Sequence, residues 1–120
     1  MSARDPAPIR LVDVDETVLD ELVALATTDA SADEVTPSVT SGSSWTIERI
    51  AWLRDYHRGC RSGLDGSKGE ATWAVVVGGQ AAGSVRLKRT EIAGVVETGI
   101  WLARRARGNG YGSAAVVAVV

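Results

Sequence analysis

The fold of this chain is decided by one stretch, Val95-Val96-Glu97-Thr98-Gly99-Ile100-Trp101-Leu102-Ala103-Arg104-Arg105-Ala106-Arg107-Gly108-Asn109-Gly110-Tyr111-Gly112-Ser113-Ala114-Ala115. Its first part alternates with the period of a half-buried strand. One face carries Val96, Thr98, Ile100 and Leu102, and the other carries Val95, Glu97, Gly99 and Trp101. The stretch therefore predicts a strand, then a basic glycine-rich loop, then the start of a helix.

The loop has the composition of an anion-binding site. Gly108, Gly110 and Gly112 allow backbone N–H groups to approach a ligand where a side chain would intervene. The same N–H groups would lie at the positive end of the next helix, which favours negative charge. Further positive charge comes from Arg104, Arg105 and Arg107. A pyrophosphate is the ligand that we expect here.

Three kinds of phosphate-binding loop could account for this stretch. A Walker loop needs Gly-Lys-Ser/Thr, and no lysine follows Lys88, so that loop is excluded. The segment Gly110–Ala115 fits the dinucleotide-binding pattern G-x-G-x-x-G/A. Its context does not fit, because that pattern opens a βαβ unit with an acidic residue about 20 positions later. A dinucleotide-binding segment is therefore the weakest of the open alternatives.

The third kind matches in full. The segment Arg107-Gly108-Asn109-Gly110-Tyr111-Gly112 resembles the Arg/Gln-x-x-Gly-x-Gly/Ala loop of the Gcn5-related N-acetyltransferases, the GNAT family. The preceding strand, residues 97–103, is similar to that of relatives that acetylate ribosomal-protein N-termini or aminoglycosides. One departure is the pair Arg104-Arg105, where many relatives have Pro-Glu. This difference makes the loop more basic.

The resemblance implies a co-substrate, an acceptor and a set of roles. The pantothenate arm of acetyl-CoA would bond to the main chain at Ile100 and Leu102, and no metal is implied. The pyrophosphate would rest on Arg107, Gly108, Asn109, Gly110, Tyr111, Gly112 and Ser113. An amine acceptor would attack the thioester directly, with Glu97 as the general base. The alternative is that Glu97 is an exposed carboxylate paired with Arg86 or Lys88.

Chain length and charge distribution restrict the number of domains and the class of ligand. The 120 residues fit one domain, which the resemblance makes an incomplete N-acetyltransferase domain over residues 1–120. Residues 1–85 hold seven basic and thirteen acidic side chains (−6), and residues 86–120 hold six and two (+4). Local positive charge beside an acidic remainder favours a small polyanion over nucleic acid.

Composition also indicates the cellular compartment in which the protein is expected. Cys60 is the single cysteine and predicts an apolar filler in a reducing compartment. We expect neither a signal peptide nor a membrane span, and therefore a cytoplasmic location.

The rest of the chain predicts an α+β fold. A strand over 9–14 precedes a helix that Asp15 caps and that ends near Thr27, and a connection over 27–44 is either functional or a linker. A second helix over 46–59 should bury Ile47, Ile50, Ala51 and Leu53, with His57 in a structural or surface role. Strands over 72–77 and 82–89 join through Gly78-Gly79 and form an antiparallel meander with the strand that begins at Val95.

The expected architecture is a mixed, mostly antiparallel sheet flanked by helices in the order β-α-α-β-β-β-α. This order corresponds to the acyl-CoA N-acyltransferase fold without its C-terminal strands and helix. The last helix, residues 114–120, is rich in valine and lacks a polar face, and the last strand should have an open edge. We therefore expect a tendency to form homo-oligomers or aggregates. A non-catalytic acyl-CoA-binding module is the alternative to an enzyme.

Overall fold

Four strands and four helices are formed by the residues that the computed structural model describes, 9–37 and 44–120. The strands are β1 (Ile9–Asp13), β2 (Glu70–Val77), β3 (Gln80–Arg89) and β4 (Val96–Leu102). The helices are α1 (Glu16–Asp29), α2 (Ala32–Val35), α3 (Ile47–Gly59) and α4 (Tyr111–Val119). Short 3-10 turns follow α3 and β4, at Cys60–Ser62 and Arg104–Ala106.

The sheet is antiparallel throughout, in the order β1-β2-β3-β4. The predicted meander of the last three strands is thereby confirmed, and so is the α+β class. The reversal between β2 and β3 is made by Gly78 and Gly79, whose φ angles are 59° and 81°. Both angles lie in the left-handed region that two-residue hairpin turns require, which is why glycine stands at both positions.

A β-bulge interrupts the pairing of β2 with β3. Val75 pairs with Gly83 and Val76 with Ala81, so Ala82 has no opposite residue on β2. Gly83 lies close to β4, because a Cβ atom there would come within 2.1 Å of the Trp101 carbonyl oxygen. Glycine is required where two strands approach this closely.

The two faces of the sheet differ in how they are covered. Helices α1 and α3 cover one face, and their core cluster includes Leu19, Leu22 and Leu53, each 1% exposed or less. Helix α4 covers the other face through a smaller cluster of Val75, Val85 and Ala115. Val117 remains 78% exposed on α4.

Helix α1 begins as predicted. The Asp15 carboxylate accepts a hydrogen bond of 2.8 Å from the Val18 N–H, which satisfies one of the unpaired donors of the first turn. The helix ends at Asp29, two residues beyond the prediction. The hydroxyls of Thr27 and Thr28 bond back to carbonyls of the preceding turn, so the two threonines continue the helix.

Helix α2 lies in the segment predicted to be a connection. Glu34 accepts hydrogen bonds from the N–H and the hydroxyl of Ser31, at 3.3 and 2.9 Å. This contact belongs to a capping box, and its Ser-x-x-Glu spacing was visible in the sequence. The rest of the predicted connection, residues 38–43, lies outside the described residues.

The predicted inner face of α3 was wrong at two positions. Ile47 is 85% exposed and Ala51 is also exposed, whereas Leu53 is buried and Ile50 is half-buried. The fully buried stripe instead runs through Arg49, Leu53 and His57, spaced by four residues.

The reason for the error is that two polar residues hold buried positions on α3. Arg49 forms an ion pair of 2.8 Å with Asp33, so its cation is compensated inside the protein. The periodicity of apolar residues cannot detect such a pair, because the partner belongs to another element.

Candidate functional site

Strand β4 presents a free main-chain edge in the part of the chain that the structure describes. The Ala103 N–H donates to the Ala82 carbonyl at 2.9 Å, and the Val95 carbonyl accepts from the Thr90 N–H at 3.1 Å. Main-chain groups alternate in direction along a strand, so those of Ile100 and Leu102 point away from β3. These are the two positions that the sequence assigned to the pantothenate arm.

The loop after β4 opens toward solvent. Gly108 and Gly110 have φ angles of 82° and 78°, and no atom of the described residues lies within 4 Å of a Cβ position at either one. The Asn109 amide donates to the carbonyls of Ala106 and Arg107, both at 3.2 Å, and braces the loop. A ligand can therefore approach the backbone here without meeting a side chain of the loop.

Helix α4 begins beside the same edge. The N–H groups of its first residues, Tyr111, Gly112 and Ser113, have no acceptor within the helix, as at any helix N-terminus. A Cβ atom at Gly112 would lie 3.7 Å from methyl groups of Ile100 and Leu102. The fold thus brings together all the residues predicted to hold acetyl-CoA, namely Ile100, Leu102 and the segment Arg107–Ser113.

Two of the loop arginines are engaged within the protein. The Arg107 guanidinium is paired with Glu34 of α2, and its Nε donates to the Leu102 carbonyl at 3.1 Å. Arg105 lies 3.7 Å from Asp29 of α1. Hydrogen bonds from Ser31 and the nearby Arg107 charge hold the pKa of the Glu34 carboxyl below its usual value. These arginines therefore connect the loop to α1 and α2. The sequence alone had predicted them to be mobile positive charges.

A cavity of about 420 Å³ lies between α2, α3 and the sheet. Glu97, Gly99 and Trp101, at alternate positions of β4, line it. The other residues at its wall are Glu34, Val35, Pro37, Trp52, Leu53, Tyr56, His57, Glu70, Thr72, Ser84, Val85, Arg86, Lys88 and Ile100.

His57 and Thr72 form one polar contact in the cavity wall. His57 Nδ1 lies 2.9 Å from the Thr72 hydroxyl, and the imidazole is 2% exposed. Burial lowers the pKa of His57 to about 4, with a smaller contribution from the Arg61 charge, so the ring is neutral near pH 7. A structural role, as the sequence predicted, accounts for these contacts.

Tyr56 and Glu70 form a second contact, which the sequence did not predict. The Tyr56 hydroxyl donates to a Glu70 carboxylate oxygen at 2.8 Å, and its ring stacks on Trp52 with centroids 5.0 Å apart. Burial, followed by the hydrogen bond to Glu70, raises the pKa of Tyr56, so it remains a neutral donor. No local signal could have found this pair, because α3 and β2 meet only in the folded chain.

Glu97 is exposed and lies directly opposite Lys88 on β3. Within residues 9–37 and 44–120, neither Lys88 nor Arg86 forms an ion pair with it. The space predicted beside Gly99 is filled by a neighbour. A Cβ atom at Gly99 would lie 2.6 Å from Nε of Arg86, so the missing side chain makes room for that guanidinium.

Three further findings concern chemistry elsewhere in the described residues. No group of three or more His, Cys, Asp or Glu side chains is placed to hold a metal ion there. None of the helices described is both long and apolar enough to cross a membrane. The Cys60 thiol is buried and its pKa is raised chiefly by that burial, which fits the predicted role of an apolar filler.

Comparisons with known proteins concern both the fold and the sequence of this chain. Its fold matches that of the microcin C7 self-immunity acetyltransferase MccE, solved in complex with acetyl-CoA and AMP, with a TM-score of 0.64 and 15% identity. The match covers 91% of this chain and 58% of MccE, so the chain spans little more than half of that protein. No curated protein matches the sequence at a significant level. Residues 9–120 match the acetyltransferase (GNAT) domain family, and the chain therefore belongs to that family.

Proposed function

We propose that this protein transfers an acetyl group from acetyl-CoA to a primary amine. The observation that carries the proposal is that β4, among the described residues, both has a main-chain edge without a partner strand and lines a cavity. The outward main chain of Ile100 and the open loop lie on one side, and the cavity containing Glu97 and Gly99 lies on the other. A thioester held along β4 would therefore lie next to an amine held in the cavity.

The co-substrate would be bound mainly by the backbone. Amide groups of the pantothenate arm would pair with the outward groups of Ile100 and Leu102 as an added strand. The pyrophosphate would accept hydrogen bonds from the segment Gly108–Ser113, where the helix dipole also favours negative charge. Because Arg107 already bonds the Leu102 carbonyl, its side chain would have to move for the pantothenate arm to use that carbonyl fully.

Glu97 would act as the general base. An ammonium group has no free electron pair, so a base must remove one proton before the nitrogen can attack. The nitrogen then bonds to the thioester carbonyl carbon, the C–S bond breaks, and CoA leaves as its thiol after taking up a proton. Glu97 faces the cavity and has no ion-pair partner among the described residues, so its carboxylate is available to water or to substrate.

The acceptor would be a protein N-terminus or a small-molecule amine. The sequence 97–103 is similar to the strands of enzymes that acetylate ribosomal-protein N-termini or aminoglycosides, which supports an acceptor of this kind. Either acceptor would enter the cavity beside Glu97, which is exposed.

Turnover with acetyl-CoA and a mixed panel of amines tests the proposal. Glu97→Gln should lower kcat by about 10²–10⁴-fold while leaving CoA affinity unchanged, because a general base contributes that much. Glu91→Gln, which alters an exposed glutamate in the turn before β4, serves as the matched control. Full activity in Glu97→Gln would refute the role of this carboxylate. Tight CoA binding with no turnover on any amine would instead identify a non-catalytic acyl-CoA-binding module.

A further inference from the structure

Arg86 differs from the other arginines that the structure describes. An acidic partner is present for Arg49, Arg54, Arg58, Arg61, Arg89, Arg105 and Arg107. Of the remainder, Arg10 and Arg104 are exposed on the surface, where water solvates the charge. Arg86 is half-buried, lines the cavity and forms no ion pair with any described residue.

The fold positions this guanidinium closely. Arg86 lies on β3 between Thr72 of β2 and Gly99 of β4. The position of an ideal Cβ atom at Gly99 is 2.6 Å from Nε and 3.2 Å from Nη2 of Arg86. The side chain thus lies across β4 on the cavity face, in space that any residue other than glycine at position 99 would occupy.

Three described glutamates line the cavity, Glu34, Glu70 and Glu97, and none of them forms an ion pair with Arg86. Glu70 instead accepts the Tyr56 hydroxyl, and Glu34 is held by Ser31 and Arg107. A cation that is partly removed from water without a counter-ion is unfavourable. An anionic ligand would remove this cost, and a guanidinium fork suits the paired oxygens of a carboxylate or a phosphate.

We propose that the amine acceptor carries an anionic group, a carboxylate or a phosphate, which binds Arg86. This inference rests on the proposed function, since it assigns the amine to the Glu97 end of the same cavity. Arg86 and Glu97 are diagonal neighbours on adjacent strands, and both line the cavity, so a single small ligand can contact both side chains. An acceptor with a short linker between amine and anion, such as an amino acid or a phosphorylated amine, spans that interval.

Matched acceptor pairs test the proposal on the full chain. β-Alanine is compared with 3-aminopropanamide, and phosphoethanolamine with ethanolamine, by NMR titration and by kcat/KM with acetyl-CoA. The wild type should favour the anionic member of one pair by at least about tenfold, as expected for one charge-assisted contact. The pair with the larger preference distinguishes a carboxylate from a phosphate.

Variants then assign the preference to one residue. Arg86→Gln should abolish the preference, so that both members of each pair react equally, Arg86→Lys should retain part of it, and Arg10→Gln should keep it whole. Equal binding of both members by the wild type would overturn the proposal, as would a preference that survives in Arg86→Gln. CoA affinity, measured on the same proteins, distinguishes failure of this proposal from failure of the proposed function. If the proteins do not bind CoA but the anion preference is intact, only the acetyltransferase function is refuted. If Arg86→Gln does not fold, the wild-type panel and Arg86→Lys still decide.

Discussion

The loop after β4 and the cavity beside it are built from different parts of the chain. The loop offers backbone N–H groups from one continuous segment, residues 108–113, and glycine keeps side chains out of the way. The cavity offers side chains from α2, α3, β2, β3 and β4, and its polar contacts join residues 14 or 15 positions apart. One site thus depends on backbone conformation, and the other depends on the packing of distant elements.

This difference predicts which substitutions each site tolerates. A backbone site should be sensitive to any side chain added at its glycines and nearly insensitive to the loss of a neighbouring side chain. A side-chain site should behave in the opposite way, because removing one group leaves its partner unsatisfied in a half-buried place. Four measurements can break or sharpen this contrast, and their expected effects decrease in the order given.

Gly110→Val should have the largest effect on CoA binding. A valine would fill the open space through which phosphate reaches the backbone, and losing several charge-assisted hydrogen bonds of about 1.5–3 kcal/mol each lowers affinity more than about 100-fold. Gly94→Val is the matched control, since Gly94 has the same kind of φ angle, 80°, and also has no atom within 4 Å of its Cβ position. Calorimetry with CoA measures both. Equal losses in the two variants would mean that backbone strain alone explains the effect.

Removing the phosphates from the ligand should have the second-largest effect. Pantetheine, which lacks them, should bind about 50-fold more weakly than CoA, because one charged hydrogen bond is worth about 1.5–3 kcal/mol. The difference should shrink as salt is added, since the loop is exposed. Equal affinity for the two ligands would remove the loop from the CoA site.

The folded protein should become less stable as the pH falls from 7 to 5, because His57 is buried in the cavity wall as a neutral ring. The unfolded chain takes up a proton near pH 6.5, whereas burial keeps His57 neutral until about pH 4, so acid favours the unfolded state. Between pH 7 and pH 5 the free energy of unfolding should fall by about 2 kcal/mol from this group. Urea unfolding of the wild type and His57→Gln measures it. The variant should lack this part of the pH dependence, and identical slopes would contradict the assignment.

Arg107→Ala should have the smallest effect. Its guanidinium is already paired with Glu34 and the Leu102 carbonyl, so little of its charge is directed at a ligand. We expect CoA affinity to fall less than about tenfold and stability by about 0–1 kcal/mol, as for other exposed pairs. A larger loss of affinity than that of Gly110→Val would reverse the contrast between the two sites.

The same contrast explains which features could be predicted from the sequence. The glycines of the loop and the alternation of β4 are local signals, so the amino-acid sequence alone was enough to predict the edge and the loop. A helix after the loop was also predicted, but α4 begins at Tyr111, three residues earlier than expected. The Tyr56–Glu70 contact and the burial of Arg49 depend on partners in other elements, which no spacing along the chain reveals. Helix α2 was missed for a different reason, because the Ser31–Glu34 capping signal was present but the polar composition around it predicted a loop.

The bulge at Ala82 has a consequence for how this domain tolerates insertions and deletions. Without Ala82, the pairs on either side of it, Val75 with Gly83 and Val76 with Ala81, would continue as an uninterrupted ladder, so the hairpin itself has no need of the residue. What would change is the acceptor of the Ala103 N–H at the exit of β4, because the Ala81 carbonyl would take the place of the Ala82 carbonyl. A one-residue deletion would therefore spare the pairing of β2 with β3 and exchange the residue that anchors the beginning of the glycine loop.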